Sequence, residues 1–390
     1  MKLQAVLGDT VYATRDRTVY AADGGGIDRI GRLPVPSGGV DGLRYRAKTT
    51  PPWRTAVTRV VGRFPVVNVW PTSRGTLVAS ADRWLLVSTD GGDDWEVACR
   101  LHRSSGPMGV LPTAFCEHDG ALYLGEYPLA GSARPRLLRS VDGGRSWEPA
   151  LVLEDVRHVH AVQSDPYGDD LWLTTGDAGE ECRIGRVRDG AFLPVGGGDQ
   201  GWRAVSLAFT PSAVLWGVDS VYAERNEIRA IDRADLDRTG RRRPASDGGR
   251  GGADRTPSPP VRTLGALQGS VYYSATLETE RDRWVVLSTA TEPGTDSTAP
   301  PGRRETHTDR ARVVAAAASS GYEEWHELAA YDRRRVPADG RALDGRLPSA
   351  NAYVFLGADG DAGLFVNPYN TARHDGDIRN YPPAYFERLG

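Results

Sequence analysis

Lysine is almost missing from this chain: Lys2 and Lys48 stand against 46 arginines in 390 residues. The skew points to a GC-rich genome and carries no mechanism. Cysteine is nearly as scarce. Cys99, Cys116 and Cys182 make an odd count with no CxxC pair, which excludes a disulfide framework and a thiolate metal site of ordinary spacing. Buried free thiols are expected. No charge of one sign dominates, because 48 basic residues face 51 acidic ones. A net charge of −3 gives no strong basic field, so neither nucleic acid nor an anionic membrane is an expected partner. No apolar run approaches the roughly 18 residues that a transmembrane helix needs. The first apolar residues meet Gly8-Asp9 too soon for a secretory signal, so a cytoplasmic location is expected.

Long stretches of 3.6-residue periodicity are also missing; only Val313–Ala318 has a helical look. What remains is a procession of short apolar strands separated by Gly, Asp, Pro and Ser. About half the residues are apolar once the 46 glycines are included, enough for a sizeable core. Short strands with regular turn signals indicate an all-β sandwich, barrel or propeller.

An internal repeat decides among these. Trp84 to Glu96 and Arg136 to Glu148 lie 52 residues apart, and each is an apolar strand, then Ser-x-Asp-Gly-Gly, then Trp-Glu. The Asp side chain can accept from the turn backbone, Gly supplies positive φ, and Trp packs the turn onto the sheet. Ser140 to Trp147 resembles the Asp-box, or BNR repeat, of sialidase-like β-propellers; Ser88 to Trp95 differs once, at Asp94. Weaker relatives stand at Ala22–Gly25 and Arg188–Phe192.

That period predicts a six-bladed β-propeller of four-stranded antiparallel blades, with seven blades as the alternative. Innermost strands are expected near Val66–Val69, Gly109–Leu111, Val159–Val162, Ala204–Leu207, Ser270–Tyr273 and Ala352–Phe355. N-terminal strands at 10–14, 17–22 and 27–33 would complete the blade that the C-terminal strand begins, closing residues 1–390 into one domain. Gly363–Val366 is a further strand without a place in that scheme. Segments 235–260, with Arg241–Arg243, and 293–309, with Pro300-Pro301, break the period and read as disordered surface loops.

In a propeller, the start of the innermost strand and the end of the second strand lie at one face, by the channel mouth. The second strands here run into Asp82, Glu126, Asp177 and Asp219, and two first strands open with His158-Val159-His160 and Trp202-Arg203. Three adjacent blades thus bring Glu126, Asp177, Asp219, His158, His160 and Arg203 to one mouth. His158 and His160 share a face, since side chains alternate with period 2.

The stretch from His158 to Arg233 resembles sialidase-like, BNR-repeat proteins of prokaryotes, a glycosyl-hydrolase-like group, and Gly125-Glu126-Tyr127 belongs to the same likeness. The resemblance implies glycan chemistry. Glycosidases typically use two carboxyl groups, so Glu126 is the expected acid/base, with Asp177 or Asp219 as partner. Tyr127, His158, His160 and Arg203 would bind an acidic or hydroxylated sugar. The sequence has no Arg-Ile-Pro motif and places only Arg203 at the mouth, so the three-arginine set of a true sialidase is not expected. Two alternatives stand beside hydrolysis. One is a non-catalytic glycan-binding or assembly propeller. The other is a metal-assisted polysaccharide lyase or hydrolase, because His158 and His160 with a carboxylate can hold Zn or Mn. No other cofactor is expected, and the partner is a carbohydrate or another small acidic ligand.

Overall fold

A computed structural model describes residues 1–36, 39–104, 109–129, 131–240, 258–291, 308–339 and 349–389. It contains seven antiparallel sheets in chain order, six of four strands and the last of three. They are numbered here as blades 1 to 7: residues 2–32, 67–100, 115–152, 159–197, 208–267, 270–332 and 353–381. Consecutive blades pack face to face. Val69 and Leu86 meet Val19 between blades 2 and 1, and Trp172 and Ile184 meet Trp216 between blades 4 and 5. Leu3 and Val11 meet Tyr353 and Phe355 between blades 1 and 7, which closes the ring. The protein is a seven-bladed β-propeller.

Burial follows from that packing. Inner strands have a neighbouring sheet on both faces, so they read as continuous apolar runs rather than alternating ones. Leu77–Ala81, Leu171–Thr175 and Ala213–Gly217 are buried at every residue, while the outermost strands Glu96–Arg100 and Glu148–Val152 are largely exposed. Adjacent blades approach closely at several glycines, two of them at the ends of second strands. A Cβ on Gly125 would lie 2.2 Å from Val159 Cγ1, and one on Gly217 would lie 2.3 Å from Val271 Cγ1. The next blade's first strand is hydrogen-bonded there, from Val159 N to Glu126 O at 3.1 Å and from Val271 N to Val218 O at 3.1 Å.

Seven blades replace six for a local reason. Lys2–Leu7 is itself a strand and pairs with Thr10–Arg15 across a tight turn. Blade 1 therefore has its full four strands and needs none from the C-terminus. Gly363–Tyr369, the unplaced strand, is the middle strand of blade 7. The ring is closed by packing and by bonds such as Leu3 N to Asn367 Oδ1 at 2.9 Å, not by a sheet shared between the termini.

Other expectations shift. The first strand of blade 3 is Phe115–His118 rather than 109–111, and that of blade 5 is the two-residue Ala208–Phe209 rather than 204–207. Val313–Ala317 is strand, paired with Leu287 and Ser288 on one side and Ala329 on the other. Its β-branched start and double-sided burial fit a sheet interior. Two helices went unforeseen, α1 (Gly39–Thr49) and α2 (Trp53–Val61), inserted between blades 1 and 2. The segment expected to be disordered from 235 opens inside a third helix, α3 (Arg233–Gly240). Residues 241–257 and 292–307, where most of both expected loops fall, lie outside the described residues. Cys182 is buried as expected, but Cys99 and Cys116 are only half-buried; all three thiols are free. No described helix is long and apolar enough to cross a membrane.

Candidate active site at the mouth of blades 3 to 5

Turn chemistry fixes the face first. Ser88 Oγ lies 2.7 Å from Asp90 Oδ1 and accepts from Gly92 N, while Trp95 Nε1 donates to Gly92 O at 2.8 Å. Ser140, Asp142, Gly144 and Trp147 repeat these contacts, and Ser146 Oγ donates to Asp142 Oδ2 at 2.6 Å. Both turns join third to fourth strands, away from the mouth. Asp165 also lies on that far face, between the first two strands of blade 4, gripped by both terminal nitrogens of Arg233 at 2.8 Å.

The opposite face gathers the functional side chains. His158 stands just before the first strand of blade 4, Val159–Ser164, His160 sits at a bulge within it, and Asp177 follows the second strand, Leu171–Thr175. Asp219 follows the second strand of blade 5, tied by Asp219 N to Arg203 O at 2.9 Å. Arg203 is not on a strand; it follows a 3₁₀ turn at Gln200–Trp202 that Asp199 caps through Gly201 N. That turn lets the arginine reach inward.

Asp177 is the hub. Its Oδ2 lies 2.7 Å from His158 Nδ1, and its Oδ1 lies 3.4 Å from His160 Nε2 and 3.3 Å from Arg203 Nη2. Arg157 Nη1 stands 3.7 Å from Oδ2. Arg203 Nε reaches Asp219 Oδ2 at 3.1 Å, so one guanidinium bridges two carboxylates. Both histidines and Asp219 are buried, while Asp177, Arg203 and Arg157 keep part of their surface in solvent. Tyr127, half-buried, stacks on His158 with ring centroids 3.7 Å apart and planes 15° from parallel.

These contacts set the charges. Burial works to raise the Asp177 pKa, but hydrogen bonds from His158 and His160 and the charge of Arg203 outweigh it, holding the carboxyl well below the usual range. Burial lowers the His158 pKa, with Asp177 opposing. Burial, with Asp177 adding to it, pushes the Tyr127 phenol well above its ordinary value. His158 Nε2 lies 3.1 Å from the Pro128 carbonyl oxygen. Both its ring nitrogens therefore face oxygen acceptors, yet a neutral imidazole carries one N–H. The neutral ring that burial favours can donate to only one of them. His160 Nδ1 and Asp219 Oδ1 are buried with no hydrogen-bond partner among the described residues.

Glu126 stands apart in its contacts. Its buried carboxylate accepts two 2.7 Å bonds from Arg136 and one from His102 N at 3.0 Å, with His102 Nδ1 2.9 Å away as an ion-pair contact. The structure thus brings together six of the seven expected site residues and leaves Glu126 in a separate ion-pair group. Asp82 is elsewhere too, bonded to Lys48 of α1. Sequence reasoning missed Arg157, His102 and Arg136. Arg157 was in sight, directly beside His158, whereas His102 lies in a connecting segment with no motif.

The donor atoms of His158, His160 and Asp177 lie within 4.8 Å of one another, close enough to hold one divalent ion. Arg157 and Arg203 on the same carboxylate oppose a further positive charge.

No protein-family model matches the chain, and no curated protein matches it. Among solved structures, a mitotic checkpoint complex is similar over 94% of this chain and 82% of that chain, at 10% identity and a TM-score of 0.48. An ancestral GH74 enzyme is similar over 97% of this chain and 45% of that chain, at 12% identity and a TM-score of 0.49. Neither likeness bears on the chemistry of the Asp177 group.

Proposed function

We propose that the protein acts on a carbohydrate bearing an acidic group, in a glycosidase-like reaction at the mouth of blades 3 to 5. The observation that carries this reading is Asp177. It is an ionised, partly exposed carboxylate, held by two histidines and sharing Arg203 with a second carboxylate, Asp219. An ionised carboxylate fixed by two imidazoles can stand as one of the two carboxyl groups of a glycosidase, with Asp219 as its partner. His158, whose ring nitrogens already face Asp177 and the Pro128 carbonyl, would hold Asp177 in place. Arg203 and Arg157 would take the acidic group of the sugar. The bonds to Arg136 and His102 suit Glu126 to holding the connecting segment rather than to proton transfer. The two Ser-x-Asp turns support the sialidase-like, Asp-box reading of the chain.

A second reading is favoured by the grouped His158, His160 and Asp177 donors: the same mouth with a bound Zn or Mn assisting lyase or hydrolase chemistry. Reducing-end release from a panel of oligosaccharides and acidic polysaccharides tests both, run with wild type, Asp177→Asn and Glu126→Gln. Release lost in the first variant and kept in the second is expected. Loss in Glu126→Gln with Asp177→Asn active would overturn the assignment. One tightly held metal per chain, lost in His160→Asn, would favour the metal reading. Saturable affinity with no product would make the propeller a binder.

A further inference from the structure

The same face carries a second concave site across the ring. Lys2 pairs with Thr14 at the same strand ends as Val159 with Thr175, so the mouth of blades 7, 1 and 2 opens on the side of the Asp177 group. A pocket of about 130 Å³ lies there, walled by Lys2, Arg15, Asp16, Arg54, Arg63 and Tyr369, among others. The blades alone do not build it. Arg54 comes from α2, in the helical insertion between blades 1 and 2, and Arg63 from the segment just after that helix.

Its charge is unbalanced. Arg54 pairs with Asp16, and Arg63 and Arg334 both pair with Asp375. Of the side chains that wall the pocket, Lys2, Arg15, Arg54 and Arg63 are basic and Asp16 is acidic, with Asp375 reaching Arg63 from outside the lining. Lys2 spends its ammonium on Val67 O and Asn68 Oδ1, so the arginines set the pocket's character. The guanidinium of Arg63 stacks on Tyr369, 4.3 Å from the ring centroid. Its Nε is buried and has no hydrogen-bond partner among the described residues. Arginines crowded together beside an open cavity, one with a buried unmet donor, match what an oxyanion supplies: negative charge and several acceptor oxygens in one plane-sharing contact.

We propose that this pocket binds an oxyanion group, the phosphate or carboxylate of a small ligand. The proposal stands independently of the chemistry at Asp177. Isothermal titration with inorganic phosphate and, separately, with glucuronate tests it in wild type, in Arg63→Gln and in Arg15→Gln. Arg15 is exposed, so its replacement leaves the fold intact even if Arg63→Gln does not. Saturable binding of at least one probe in the millimolar range is expected, weakened about tenfold in either variant by loss of a charge-assisted contact. Phosphate alone would point to a phosphorylated ligand, glucuronate alone to a sugar acid. No saturable binding of either probe up to about 20 mM, a binding free energy weaker than roughly 2.3 kcal/mol, would overturn the proposal. So would binding that both variants retain, or binding that Asp177→Asn abolishes while both arginine variants keep it.

Discussion

Lys2 is a buried lysine with no carboxylate against it. Its ammonium donates to Val67 O at 2.8 Å and Asn68 Oδ1 at 2.5 Å and lies over the Phe355 ring. Loss of hydration pushes its pKa down from 10.5 to about 7. Below about pH 7, folded and unfolded chains both hold the proton, and the folded state bears the full desolvation of the ammonium. Between about 7 and 10.5 only the unfolded chain holds it, so stability rises with pH across that window, by about 1.4 kcal/mol per pH unit. The shift of about 3.5 units corresponds to roughly 5 kcal/mol in all. In urea unfolding, the wild type should therefore gain about 2.3 kcal/mol on Lys2→Met between pH 7 and pH 9, the folded lysine being half-titrated at the lower end, since every other titrating group is common to both. A direct assay exists because the chain has two lysines. Labelling lysine with ¹³C at Cε gives two side-chain signals, and Lys48→Arg identifies the one from Lys2. A Lys2 midpoint near 7 is expected. A midpoint above about 10, the ordinary lysine value, together with a pH-independent stability difference, would refute the reasoning.

The depressed Asp177 pKa works with the opposite sign: its contribution to stability is present above the ordinary carboxyl pKa of about 4 and fades as pH falls toward the folded value. Asp177→Asn should lower stability at pH 6 by about 3–5 kcal/mol, because Arg203 and the histidines lose a buried partner, and should flatten the acid limb measured by urea unfolding between pH 6 and 3. Gly217→Ala drives a methyl group into Val271 of the next blade and should cost about 1–3 kcal/mol through overpacking, read as a lowered Tm. An unchanged Tm would show that the blade 5–6 contact gives way freely.

Much of the architecture was legible because it is written locally. Ser140-x-Asp142-x-Gly144 and Trp147 form their contacts within eight residues, so the sequence carries the whole motif. His158 stands just before the strand Val159–Ser164 and Asp177 just after the strand paired with it; their arrival at one mouth was legible in the sequence, while the bulge at His160 was not. The blade count was less legible. It turned on whether Lys2–Leu7 pairs within its own sheet, and six residues beside Gly8-Asp9 look much like any short N-terminal segment. The helices α1 and α2 were missed because most of their apolar residues are exposed: Val40, Leu43, Trp53 and Val57 face solvent, and the buried face of α1 is Gly42, Tyr45 and Thr49, with one large apolar side chain to mark it.

The candidate acid Glu126 shows where local reading stops. Its position at the end of a second strand is set by the chain, and so is its burial beside the Gly125–Val159 contact. Its partners are not: Arg136 lies one strand over, and His102 reaches it from a connecting segment. Strand order, turn chemistry and the face of each side chain are short-range consequences of period-2 alternation and positive-φ turns, so the sequence alone determines them. Which cation neutralises which buried carboxylate depends on contacts beyond the strand that carries it. Arg136 reaches Glu126 from the next strand of the same blade, and the packing of blade 5 on blade 4 lets Arg203 bridge Asp219 and Asp177; alternation along a strand does not encode those distances, so only the tertiary structure decided them.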